Sequence, residues 1–263
     1  MTGGERLEAA LCAAAGEGRA ALAPFVTAGF PTLEGFGDLL ESVCREADVV
    51  EVGVPFSDPM ADGVTIQHSS RRALEAGATL EWILATLGEK EWPAPLVLMS
   101  YLNPLVARGV EQLAREAVSA GVSGLIVPDL PYEESLPLRA AFDEAGLALI
   151  QLVTPVTPAD RLRTLCEASR GFVYAVTMTG TTGGTVGSGS TTADYLERVR
   201  ELSRVPVLAG FGIRKASDLD TIAAHADGGI VGSALIEALE RGDDPVAFLR
   251  SLRETNGRRG DVR

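Results

Sequence analysis

Cysteine is scarce in this sequence, and long hydrophobic runs are missing. Cys12, Cys44 and Cys166 are odd in number, far apart and outside any C-x-x-C pattern, which argues against a disulfide framework and a thiolate metal cluster. We expect all three to be small buried apolar side chains. Because no run of about 18 uncharged apolar residues occurs, and the N-terminus lacks a basic segment followed by an apolar one, the sequence predicts neither a membrane span nor a targeting peptide. A cytoplasmic protein is expected.

Positive charge is also in short supply. The chain has 23 Lys and Arg against 36 Asp and Glu, a net charge of -13 at pH 7. Nucleic acids and anionic membranes are bound through surplus Lys and Arg, so this balance argues against both as partners. Screening over about 8 Å at physiological salt still allows a local site to bind a small phosphorylated substrate.

Short apolar, β-branched runs alternate with amphipathic stretches along the whole chain. With 263 residues, 46% of them hydrophobic, the chain can bury one large core. The predicted strands are 22–27, 49–54, 96–100, 124–127, 147–153, 172–176, 205–209 and 229–231. Helical periodicity marks 33–45, 110–120, 133–145, 159–169 and 193–202, and an extra helix over 6–15 is expected to cover the bottom of the sheet.

This alternation predicts an α/β fold with right-handed crossovers and a parallel sheet. Eight units without a second composition favour closure into a single (β/α)8 TIM barrel that forms one domain over 1–263. An open doubly wound sheet is the main alternative. In a barrel, functional residues gather on the loops that follow the strands.

Glycines mark two of these strand ends. Gly212 follows the seventh predicted strand, and Gly232 with Ser233 follows the eighth, where a helix begins. Glycine allows the backbone to approach a ligand closely, and a helix N-terminus offers free N–H groups with about half a positive charge. Although barrel turns also use glycine for steric reasons, the pairing on neighbouring strands favours a phosphate site.

Two carboxylates belong to the second predicted strand and the loop after it. Alternation along that strand puts Glu51 on one face with Val49, whereas the valines between and after them face the other way. An unpaired ionised carboxylate among valines costs several kcal/mol, so Glu51 is either paired structurally or has a raised pKa with a use. Asp62 lies in the following loop, where it would otherwise be a turn or cap residue with Gly63. The shared rim favours a two-carboxylate site.

The chain has only two lysines and two histidines, and none of them is well placed for another mechanism. Schiff-base chemistry needs a lysine at a strand's C-terminal end, but Lys90 precedes the third strand and Lys215 falls inside a predicted helix. His68 falls on the helix after Asp62 and His225 precedes the eighth strand, so neither suits a general base. Without clustered His or Cys ligands, metal-assisted cleavage is also disfavoured. Proton transfer by carboxylates remains.

Polar residues that end other strands are weaker candidates. Asp129, after the fourth strand, could equally brace a loop, and Tyr101 and Asn103 follow the third. Tyr174, within the sixth strand, is equally suited to core packing or to the site.

Several motifs resemble one known family. The string E-V-G-V-P-F-S-D-P-M-A-D-G (51–63) with T-I-Q after it, P-F-V-T-A-G (24–29), V-P-D-L-P-Y-E-E (127–134), G-F-G-I (210–213) and V-G-S-A (231–234) look like the tryptophan synthase alpha chain. The resemblance covers nearly the whole chain in the family's order. It implies a (β/α)8 lyase that splits indole-3-glycerol phosphate into indole and glyceraldehyde 3-phosphate.

The same resemblance implies partners and roles. Indole would pass to a beta chain that carries pyridoxal phosphate, in an alpha2beta2 complex, and this chain would hold neither cofactor nor metal. Glu51 would donate a proton to the indole carbon and accept the proton of the side-chain hydroxyl, while Asp62 would hold the indole N–H. Asp58 would lie in the loop that faces the beta chain. The substrate would be bound by Phe25, Ile66, Tyr101, Ile126, Asp129, Tyr174, Thr182 and Ile230, and its phosphate by Gly183, Gly212, Gly232 and Ser233.

One segment departs from the family pattern. The sixth loop, within 180–192, is rich in Gly, Ser and Thr and lacks the basic residue that commonly follows in the family. It keeps Thr182 and Gly183, and the alternative is a linker without function. A stand-alone lyase, another phosphate-binding barrel such as a sugar-phosphate isomerase, and a non-catalytic barrel that activates a partner remain alternatives.

Overall fold

Eight parallel strands close into a barrel in chain order, with β1 paired to β8 as well as to β2. The computed structural model describes residues 1–177, 189–210 and 212–254. The strands are β1 Ala21–Thr27, β2 Val50–Gly53, β3 Leu96–Met99, β4 Val122–Ile126, β5 Ala148–Val153, β6 Val173–Val176, β7 Val207–Gly210 and β8 Gly228–Val231. The predicted (β/α)8 fold is confirmed, and the open doubly wound sheet is wrong.

Helices surround the barrel, and several loops carry more than one. Those in the described ranges are α1 Gly3–Gly16, α2 Phe36–Glu46, α3 Val64–Ala76, α4 Leu80–Leu87, α5 Leu102–Arg108, α6 Val110–Ser119, α7 Leu136–Ala145, α8 Ala159–Ala168, α9 Gly189–Leu202, α10 Ala216–Ala223, α11 Ser233–Arg241 and α12 Pro245–Arg253. No helix of these ranges is long and apolar enough to span a membrane.

Strand alternation sorts the core into two layers, as the sequence predicts. In β2, Val50 and Val52 pack outward against the helices, whereas Val49, just before the strand, packs inside the barrel. The interior cluster is Leu7, Leu11, Ala14, Ala21, Ala23, Val49, Val97, Ile126, Ala148, Ile150, Phe172, Tyr174, Leu208 and Ile230.

The extra helix α1 closes the N-terminal end of the barrel. Thr2 caps it through a reciprocal pair of hydrogen bonds with Glu5, which satisfies backbone N–H groups that the first turn leaves free. Leu7 and Leu11 point into the interior cluster, and the backbone N–H of Gly3 donates to the carbonyl oxygen of Gly146 at 2.6 Å. The functional loops therefore lie at the opposite, C-terminal end.

Some expected details are wrong. Cys12 is exposed, because Leu11 and its neighbours occupy the inner face of α1, whereas Cys44 and Cys166 are buried as expected. Lys215 lies at the N-cap of α10 rather than inside the helix.

The predicted helix 133–145 is also split in two. A short 3-10 turn covers Tyr132–Glu134, and α7 begins only at Leu136, with a proline in its first turn, where the missing N–H costs no helical hydrogen bond.

Candidate active site

Glu51 is buried inside the barrel without a charged partner. It lies in register with Phe25 of β1 and Val97 of β3, and it is 1% exposed. Within the described residues, its Oε1 has no hydrogen-bond partner and no nearby charge shifts its pKa. Burial raises the pKa of Glu51 to about 8. The carboxyl group is therefore protonated at neutral pH, which disfavours the structural ion pair considered from the sequence.

Asp62 is held in the loop after β2 by Tyr101, the N-cap residue of α5 just after β3. The Tyr101 hydroxyl accepts a hydrogen bond from the backbone N–H of Ala61 at 2.9 Å and forms another with the Asp62 carboxylate. Burial raises the pKa of Asp62 to about 6, and the hydrogen bond with Tyr101 opposes that rise. Asp62 is therefore ionised at neutral pH while Glu51 is not, so the two carboxyl groups suit different roles.

An aromatic wall stands beside Glu51. Phe25 packs with Phe30 and Ile236, and the partly buried Ile66 of α3 packs against this group. A Cβ atom on Gly53 would lie 2.3 Å from Cζ of Phe25, so the Phe25 ring lies across the space that Gly53 leaves free. Sequence reasoning missed this role of Gly53, since its signal is only a glycine inside a strand.

Tyr174, Ile126 and Ile230 belong to the interior cluster. Burial raises the pKa of Tyr174 well above its ordinary value, and negative charge on Glu51 and Asp62 raises it further. Tyr174 is thus both a packed core residue and a neighbour of the two carboxyl groups.

Asp129 braces a loop. Its Oδ1 accepts a hydrogen bond from the backbone N–H of Leu102 at 2.8 Å, at the start of α5. That bond fixes the residue after Tyr101, so Asp129 supports the tyrosine that contacts Asp62.

The glycine-marked strand ends leave room for an anion. Gly212 has φ of +82° and a Cβ there would meet nothing within 4 Å, while a Cβ on Gly232 would meet only Cβ of Phe25, at 3.8 Å. Gly232 is the N-cap of α11, which begins at Ser233, and no described side chain caps this helix. Uncapped N–H groups at a helix N-terminus attract anions. Through Phe25, this end adjoins the wall beside Glu51.

Comparison with known proteins agrees with this geometry. The family model described as tryptophan synthase alpha chain matches residues 11–259. A tryptophan synthase alpha chain of Xanthomonas oryzae pv. oryzae is 47% identical over 242 residues, 90% of this chain and 89% of the relative. One from Nitratidesulfovibrio vulgaris is 44% identical over 252 residues, 95% of this chain and 98% of the relative. The chain belongs to the tryptophan synthase alpha chain family.

Solved structures of the family have the same fold. Tryptophan synthase subunit alpha from Legionella pneumophila is 33% identical with a TM-score of 0.85, over 96% of this chain and 97% of that one. A tryptophan synthase structure from Mycobacterium tuberculosis is 36% identical with a TM-score of 0.88, over 94% and 96% of the two chains. Tryptophan synthase alpha chains cleave indole-3-glycerol phosphate in tryptophan biosynthesis, and this chain is a lyase of that family.

Three further residues were singled out by resemblance to tryptophan synthase alpha chains. Thr182 and Gly183 lie outside the described residues. Asp58 lies in the exposed part of the loop before Asp62 and accepts a hydrogen bond from the Ser57 hydroxyl at 2.5 Å.

Both histidines of this chain lie at its surface. His68 pairs with Glu240, and His225 pairs with Glu197. The described residues contain no group of three or more His, Cys, Asp or Glu side chains that could hold a metal ion.

Proposed function

We propose that Glu51 and Asp62 carry out the cleavage of indole-3-glycerol phosphate in this chain. The observation that supports this most is the buried, protonated Glu51 carboxyl group, whose Oε1 has no hydrogen-bond partner among the described residues. Leaving such a group unpaired costs stability, so a use in proton transfer accounts for it better than packing does.

The proposed steps keep Glu51 unchanged over a turnover. Protonated Glu51 donates its proton to the indole carbon that bears the side chain, and ionised Asp62 stabilises the resulting positive charge at the ring N–H. The Glu51 carboxylate then takes the proton of the side-chain hydroxyl. As the carbonyl of glyceraldehyde 3-phosphate forms, the carbon–carbon bond breaks and its electrons return to the ring. Indole leaves, and Glu51 is protonated again.

We assign the rest of the substrate to the surroundings of these two groups. The indole ring would lie among Phe25, Ile66, Tyr101, Ile126, Asp129, Tyr174, Thr182 and Ile230. The phosphate would bind at Gly183, Gly212, Gly232 and Ser233, since a helix N-terminus binds anions without requiring a lysine.

Replacing the acid tests this proposal. Glu51→Gln should lower the rate of indole release from indole-3-glycerol phosphate by about 10³-fold, since acid–base catalysis contributes on that order. Glyceraldehyde 3-phosphate should bind Glu51→Gln with unchanged affinity in calorimetry. Glu197→Gln, the same change at an exposed residue paired with His225, is the control. A Glu51→Gln enzyme that releases indole at the normal rate would refute the mechanism.

We further propose a partner and a location. A tryptophan synthase beta chain carrying pyridoxal phosphate would complete an alpha2beta2 complex, this chain would carry no cofactor of its own, and its whole length would act as one domain. Family membership and the exposed loop around Asp58 support the partnership, and the free cysteines suit the cytoplasm. Sedimentation of this chain mixed with a beta chain tests the complex. If the two never associate and this chain alone turns over rapidly, a stand-alone lyase replaces this assignment.

A further inference from the structure

Gln67 of α3 reaches back to the loop that carries Asp62. Its side-chain Nε2 donates to the carbonyl oxygen of Asp62 at 2.9 Å and approaches the carbonyl oxygen of Pro59 at 3.4 Å. Both acceptors are backbone atoms, so these contacts fix the path of the loop rather than the charge of a side chain.

The same loop is also held by Tyr101. The Tyr101 hydroxyl accepts a hydrogen bond from the backbone N–H of Ala61, so Gln67 and Tyr101 together contact the loop at Pro59, Ala61 and Asp62. Between these attachments, Met60 is 77% exposed and adds little packing to the loop. The position of Asp62 therefore depends on a few hydrogen bonds.

The helix that carries Gln67 is itself anchored to the barrel. Two residues further along α3, the buried Ser69 hydroxyl forms a 2.7 Å hydrogen bond with the Thr27 hydroxyl at the end of β1. That bond fixes helix α3 against the barrel. The Gln67 amide, which projects from the same helix, therefore holds the loop in a fixed position relative to the barrel.

We propose that Gln67 is a positioning residue that sets the place of the Asp62 carboxylate through the backbone of the loop. This inference rests on the catalytic role proposed for Asp62. Displacement of a catalytic group by about 1 Å can cost up to 100-fold in rate, so two backbone contacts at Asp62 and Pro59 have a measurable effect.

Two substitutions of Gln67 test the idea. Gln67→Met keeps the length and volume but donates no hydrogen bond, and Gln67→Glu places an acceptor against two carbonyl oxygens. Each should lower kcat for indole release by about tenfold, the size expected for two lost hydrogen bonds. The affinity for glyceraldehyde 3-phosphate, which reports the other end of the site, should not change. His68→Gln, next to it on α3 and paired with Glu240 outside the loop, should keep normal activity.

A double substitution separates positioning from general support of the fold. In the Asp62→Asn background, Gln67→Met should lower the residual rate by less than about twofold, since no carboxylate remains to be positioned. If Gln67→Met proves too unstable to measure, Gln67→Asn, which keeps the amide but shortens its reach, is measured by the same criteria.

The possible results distinguish this inference from the proposed function. Normal activity in Asp62→Asn would refute the proposed role of Asp62 itself. Loss of activity in Asp62→Asn, combined with normal kcat in Gln67→Met or with an equal loss in both backgrounds, would overturn the role of Gln67 alone.

Discussion

At the level of single residues, the buried Glu51 should make stability fall as pH rises. Its folded pKa of about 8 lies above the ordinary value of 4.5, so the native state keeps a proton that the unfolded chain has released. The stabilisation is full below the unfolded pKa and is lost as pH rises through the folded one.

Glu51→Gln removes this dependence while keeping the shape of the side chain. Between about pH 5 and pH 8, the wild type should lose about 3 kcal/mol relative to the variant, taking about 1.4 kcal/mol per pKa unit. Denaturant unfolding at several pH values measures this, and Asp62 titrates in both proteins and cancels. Parallel stability curves for the two proteins would show that Glu51 is solvated or paired.

The same two carboxyl groups predict the pH profile of catalysis. The proposed mechanism requires Asp62 to be ionised and Glu51 to be protonated, so kcat/KM should fall below about pH 6 and above about pH 8. In Asp62→Asn the residual activity should lose its acidic limb and keep its basic limb. An acidic limb that survives in Asp62→Asn would assign it to another group.

The sequence predicts the environment of Glu51 better than that of Asp62. Strand alternation is a local property, and it correctly predicted that Glu51 points into the barrel. The hydrogen bond between Tyr101 and Asp62 joins residues 39 positions apart. No local sequence pattern indicates which hydroxyl group will contact which loop. The positioning role of Gln67 could not be predicted for a related reason. Its hydrogen-bond acceptors are backbone atoms of the loop before the helix, and their positions are known only once that loop is folded.

At the level of elements, the N-terminus of α11 should govern binding of the phosphate. Gly232→Asp would put a negative charge where an anion is expected, and a Cβ there would meet only Phe25, so the barrel should fold normally. We expect at least about tenfold weaker binding of glyceraldehyde 3-phosphate in calorimetry, since each 1.4 kcal/mol is a factor of ten.

Gly16→Asp is the matched control for this change. It adds the same charge at the C-terminal end of α1, where a Cβ meets nothing within 4 Å, at the opposite end of the barrel. Equal weakening by both substitutions would indicate an effect of net charge rather than a local site.

Element positions could be predicted from periodicity, whereas their ends could not. All eight strands were found because each is a short, largely buried and mainly apolar run, but β7 runs over Val207–Gly210, two residues later than its predicted start. Helix ends depend on caps and neighbouring turns, which explains the 3-10 turn over Tyr132–Glu134. Cys12 was misplaced because cysteine is usually buried, although the inner stripe of α1 was already filled.

At the scale of the whole molecule, the fold separates stability from function along the barrel axis. Helix α1 closes the N-terminal end with apolar side chains, and the carboxyl groups and uncapped helix lie towards the other end. The formal net charge of -13 counts every carboxyl group as ionised, whereas the buried Glu51 carries a proton in the interior at neutral pH. A composition that argues against large anionic partners is therefore compatible with a site for one small phosphate.

The C-terminal rim also presents apolar surface that a partner would cover. Met60 and Val64, on either side of Asp62, are 77% and 76% exposed. Exposed large apolar side chains in one place commonly mark an interface. A beta chain seated on this rim would also exclude water from the site, which would strengthen the proposed interaction of Asp62 with a cationic indole.

Met60→Glu should therefore weaken association with a beta chain by about tenfold or more, since burial of such a side chain contributes about 1.5–3 kcal/mol. Isothermal titration of the two chains measures this, and the stability and basal activity of the isolated barrel should not change. Val118→Glu, at a 40% exposed position of α6, is the control for adding charge to an apolar surface residue. Unaltered affinity in Met60→Glu would show that the interface does not include this loop. Partner binding could then not influence Asp62 through direct contact with the loop.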